Sequence, residues 1–239
     1  MNALPILREA MYRDDADDKH IPLLTWWALE SKATSDRAQL LEMLKDSALW
    51  RTPVFSKFIV SRLGQRYTAE RTEQNFETAA RLLAIAPGPE FVDELVRGME
   101  AGLQGNRIAS VPAALQKQVA EIWSARPHTP ALVSFALRLD HPPAAEAAVQ
   151  ALADPKTAAA GRVSLLEVLS ERRIAAAVPV IITLLKKETS DAAKLDFLNA
   201  LSRFNAPEVR ATILELLPQF SATLRAAGIR SEERRRERV

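Results

Sequence analysis

The chain has 239 residues, nearly half of them hydrophobic and about a quarter charged, which suits a folded globular protein rather than a disordered one. A formal net charge of +2 is too small to argue for a nucleic-acid partner, and the lack of any cysteine excludes disulfides, thiolate metal sites and covalently attached haem within this chain. No run of eighteen apolar residues occurs, so no membrane-spanning helix is predicted.

Taken in order, residues 3–12 predict a short helix, and the preceding Met1 and Asn2 open no basic-then-apolar signal peptide. Asp14-Asp15-Ala16-Asp17-Asp18 reads as an acidic turn leading into a helix, since carboxylates suit the positive end of the helix dipole. Pro22 suits the first turn of that helix, His20–Glu30. Thr34 or Ser35 is expected to cap a helix through Lys45, and Thr52-Pro53 to start a longer one toward Tyr67. Further helices are predicted over 72–86, stopped by Pro87-Gly88-Pro89, and over 90–104, ending at Gly105-Asn106. Pro112 opens one to Ala125, and Thr129-Pro130 opens the next, with His141-Pro142-Pro143 dividing a hairpin that Asp154-Pro155 closes.

From there an internal repeat organises the sequence. Ser164-Leu-Leu-Glu-Val-Leu-Ser170 matches Asp196-Phe-Leu-Asn-Ala-Leu-Ser202 at an offset of 32. Val133, Leu165 and Phe197 form one column, and Leu137, Leu169 and Leu201 a second. Val149, Ile181 and Ile213 are expected to form a third, and Leu152, Leu184 and Leu216 a fourth. Self-similarity at such a period marks stacked repeats, in which each unit buries its apolar face against its neighbour. Apolar residues at three- and four-residue steps make each unit a helical hairpin. The predicted fold is all-α, a HEAT-like α-solenoid of stacked hairpins, with residues 1–229 as a single domain and 230–239 as a charged tail. The array closes without a polar capping repeat, which fits a piece of a longer protein.

The side chains give no catalytic constellation. His128 and His141 lie in turns beside prolines, without a second histidine one helical turn away. His20 lies near Asp17 and Asp18, a set that could hold a metal, although a helix-start histidine bonded to backbone is the plainer reading. Gly98, Gly102 and Gly105 follow a helix and lack the Lys-Ser/Thr of a phosphate loop. Trp26 and Trp27 point about 100° apart on a helix, so one of them should lie at the edge of the core, in a core or inter-hairpin role. In a HEAT-like array the second helix of each hairpin lines the concave side. Those helices span roughly 177–188 and 208–217 here, and spacing selects Thr183, Lys187 and Glu215 as a protein-binding face.

The segment His20-Ile-Pro-Leu-Leu-Thr-Trp-Trp-Ala-Leu-Glu30 resembles the helical region of large haem-containing membrane-bound dehydrogenases of planctomycete type. Segments at 62–70, 80–87 and 98–105 look similar to further parts of the same region. The resemblance implies a parent, exported or periplasmic, with a sugar-dehydrogenase-like β-propeller before this region and a cytochrome c domain after it. This chain has neither propeller strands nor a Cys-x-x-Cys-His site, so the family's redox chemistry falls on no residue here. The expected function is a noncatalytic scaffold or docking spacer without cofactor, bound to protein or to neighbouring domains of a parent chain. A stand-alone adaptor using the concave face is the alternative, and an enzyme using His20 with the aspartates is a third reading.

Overall fold

A computed structural model of the protein describes residues 3–105, 108 and 110–236, the last six by backbone alone. The ends of two expected features, Asn106 and residues 237–239, lie outside the described residues, as do Met1 and Asn2. The fold is all-α, with no strand among the described residues. Backbone contacts divide the chain into two compact units, Met1–Pro127 and His128–Val239.

The first unit holds α1 (Leu4–Met11), α2 (Ile21–Glu30), α3 (Arg37–Met43), α4 (Ser47–Trp50), α5 (Val60–Ala69), α6 (Glu73–Ile85), α7 (Pro89–Leu103) and α8 (Ala113–Ala125). Thr72 caps α6 as expected, its hydroxyl accepting the Asn75 N–H. The cap of α3 differs from expectation. The chain keeps turning from Glu30 through Asp36, with Ala33 N–H donating to Glu30 C=O and Asp36 N–H to Lys32 C=O, so Asp36 takes the cap position. Ser35 instead donates to the Asp36 carboxylate at 2.7 Å. The helix started by Pro53 reaches Ala69 through a π-helical turn, Phe55–Ile59. That turn sets Phe55 edge-on to Trp50, with ring centroids 5.4 Å apart, and Phe91 meets the same indole at 5.6 Å. Trp50 is fully buried and its Nε1–H donates to Leu44 C=O at 2.7 Å, so the polar edge of the ring is satisfied inside the core.

Helices α5 and α7 meet backbone to backbone. A Cβ on Gly98 would fall on the Ser61 carbonyl oxygen, one on Gly64 on Leu95 O, and one on Gly102 on the Thr68 hydroxyl. Small residues one turn apart on both helices make this approach possible. Thr68 Oγ1 then donates to Gly64 C=O within its own helix and lies 3.0 Å from Met99 O of the other. The glycines that did not read as a phosphate loop thus form a packing seam, and Gly105 ends the segment with φ 76°.

The second unit holds α9 (Pro130–Arg138), α10 (Ala144–Ala153), α11 (Ala159–Glu171), α12 (Val178–Lys187), α13 (Asp191–Leu201), α14 (Pro207–Leu216) and α15 (Ala222–Arg236). The Thr129 hydroxyl caps α9 by accepting the Leu132 N–H. Helices α9, α11, α13 and α15 pack in sequence, as do α10, α12 and α14. The residues of the first two apolar columns are all buried: Val133, Leu165 and Phe197, and Leu137, Leu169 and Leu201. The third and fourth need correction. Ile181 and Ile213 are buried at the expected 32, but Val149, Leu184 and Leu216 are only half-buried, and the buried pairs between α10 and α12 are Ala148 with Ile181 and Leu152 with Leu185. These pairs are 33 residues apart, not 32.

The same step of 33 relates the ends of α9 and α11. Helices α9 and α11 close with the same motif, a left-handed residue (Asp140, φ 58°; Arg173, φ 52°) followed by an N–H that reaches back to the helix. His141 N–H donates to Ala136 C=O and Ile174 N–H to Leu169 C=O, both at 3.0 Å. These landmarks, with Ala136 matching Leu169, are also 33 apart, whereas α11 and α13 keep the spacing of 32, Leu165 with Phe197 and Leu169 with Leu201. The expected tail continues the backbone of α15 as far as Arg236.

Candidate functional site

Thr183, Lys187 and Glu215 are exposed on α12 and α14. They do not converge. The Thr183 hydroxyl donates to Pro179 C=O of its own helix at 2.8 Å. Glu215 accepts from Lys186, not Lys187, at 2.8 Å, and that pair links α12 to α14. An exposed pair of this kind contributes no more than about 1 kcal/mol.

Spacing did not point to the polar edge formed by the ends of α9, α11 and α13. Arg138, 4% exposed, forms an ion pair with Glu171, and Arg203 approaches the other oxygen of that carboxylate at 3.7 Å. Arg172 pairs with Asp140 beside them. Two clefts flank Arg203. One, of about 200 Å³ between α11 and α13, is lined by Val163, Leu166, Asp196 and Asn199. The other, of about 310 Å³, is lined by Arg173, Val178, Phe204, Asn205 and Glu208. Together they offer an apolar floor with arginine and amide groups at the rim.

His20 and His141 lie at helix ends, where their backbone N–H groups make cap bonds. Asp18 accepts the backbone N–H groups of His20 and Ile21 at 2.8 and 2.9 Å, which starts α2 and holds the carboxyl below its ordinary pKa. The acidic segment therefore supplies a helix cap, and among the described residues no group of three acidic or histidine side chains is arranged to hold a metal. Burial, and then the charge of His128, lowers the pKa of His141.

The surface with the most unusual composition lies on α2. Its buried face carries Pro22, Thr25, Trp26 and Leu29, yet the opposite face is apolar too. Leu23 is 41% exposed, Leu24 55% and Trp27 56%. A surface helix of a globular protein normally turns charged residues outward, and this one turns leucine and tryptophan outward instead. The pair of tryptophans splits as the 100° separation requires, but Trp27 lies outside the core. It lines an open cleft of about 500 Å³ with Glu30, Ser31, Arg66, Ala69 and Glu70. Arg66 is clamped there, 2.7 Å from Glu70, 3.7 Å from Glu30 and donating to Thr34 Oγ1 at 3.1 Å. Behind it the Tyr67 hydroxyl donates to Ala33 C=O at 2.7 Å, and burial pushes its pKa to about 12.

No family model matches the chain, and neither a curated protein nor a solved structure matches it. The resemblance to haem-containing dehydrogenases therefore rests on the quoted residues alone.

Proposed function

We propose that the protein is a noncatalytic docking scaffold built from HEAT-like helical hairpins. One observation carries the reading. In residues 128–239, positions 32 or 33 apart are buried at equivalent points of successive helices, and each helix packs on its counterpart in the next hairpin. A repeat array of this kind holds its units by nearest-neighbour contacts and offers the outer face of each helix to a partner. In a parent resembling the haem-containing dehydrogenases, that partner is a neighbouring domain and the array is a spacer. In the stand-alone alternative it is a separate protein on α12 and α14. Thr183, Lys187 and Glu215 are all exposed on those two helices.

The test is comparative. Full-length chain and a variant carrying Lys187→Glu with Glu215→Lys are used to capture partners from the source cell. A stoichiometric protein held by the wild type and lost by the variant supports docking through this face. Substrate turnover by the purified chain that disappears on His20→Ala rejects the noncatalytic reading.

A further inference from the structure

We draw no further inference here: the strongest candidate, the exposed Leu23, Leu24 and Trp27 stripe on α2 with the open cleft beside Arg66, is an unpartnered face, and nothing in the structure shows what covers it.

Discussion

The seam between α5 and α7 makes an unusual demand on alanine. In a helix interior Gly→Ala normally stabilises by about 1 kcal/mol, since alanine loses less backbone freedom on folding. At Gly98 the added Cβ would occupy the place of the Ser61 carbonyl oxygen, a backbone atom that cannot rotate aside. The helices must part, and overpacking of this kind costs about 1–3 kcal/mol. Parting also strains the approach of Thr68 Oγ1 to Met99 O, worth about 1 kcal/mol. The costs exceed the propensity gain, and Gly98→Ala should destabilise the first unit by roughly 2 kcal/mol. Gly228, on α15, is the internal control. Its Cβ would meet only side-chain atoms, the nearest being Ile213 Cγ2 at 3.3 Å, so Gly228→Ala should be neutral or stabilising by up to about 1 kcal/mol. Urea unfolding followed by hydrogen exchange separates the two units. If Gly98→Ala stabilised α5 and α7 as Gly228→Ala does α15, the backbone-to-backbone crossing would be wrong.

Leu201 is fully buried on α13, which packs on α11, α12 and α15, so Leu201→Ala should cost about 3 kcal/mol and speed amide exchange in those helices while leaving α5 and α7 unchanged. A uniform effect across the chain would refute nearest-neighbour stacking. Hydrogen bonds from Arg8 and Tyr12 hold the Asp46 carboxyl at about 2. A folded-state pKa below the unfolded value gives stability that is present above about pH 4 and lost as the pH falls toward 2, so the difference in melting temperature between wild type and Arg8→Met should shrink from pH 5 to pH 2. A difference independent of pH would show that Arg8 acts only by packing. His141 is depressed by burial and by His128, so its contribution is present above its ordinary 6.5 and fades as the pH drops through the lower folded value. His141→Gln should flatten the stability slope below pH 6.5, and an unchanged slope would assign the acid loss to other groups.

The parts of the fold legible in the sequence were those set by local chemistry. Thr72 and Thr129 announce helix starts because a hydroxyl at the cap accepts an N–H two or three residues on, whatever the surroundings. The columns through Leu169 and Leu201 were legible because identical burial repeated three times leaves an apolar periodicity. Tertiary demands were not. The four residues of α4 are too few to show a period, and the π-helical turn at Phe55–Ile59 belongs to the packing of Phe55 against Trp50. The slip from 32 to 33 was hidden because Val149 and Ala148 are both apolar, as are Leu184 and Leu185. Only the placement of Asp140 and Arg173 in equivalent left-handed turns decides between them.

The candidate surfaces differ in the same way. Helix α2 is apolar all round, so periodicity could separate Trp26 from Trp27 but could not say which one the core takes. That choice depends on tertiary packing, and the cleft that Trp27 enters is completed by Arg66 and Glu70, some forty residues on. The ionic edge follows the repeat as well. Arg138, Glu171 and Arg203 are spaced by 33 and then 32, the same steps as the apolar register, and charges that recur with the repeat must meet across successive hairpins. Alternating sign along that spacing then gives one carboxylate between two guanidinium groups, as Glu171 lies between Arg138 and Arg203. Buried ion pairs add little net stability over apolar packing, yet removing one partner leaves an uncompensated charge. A ladder of this kind therefore acts mainly on register: shifting one hairpin against the next by a single residue would separate these charges while leaving much of the leucine and alanine packing in place.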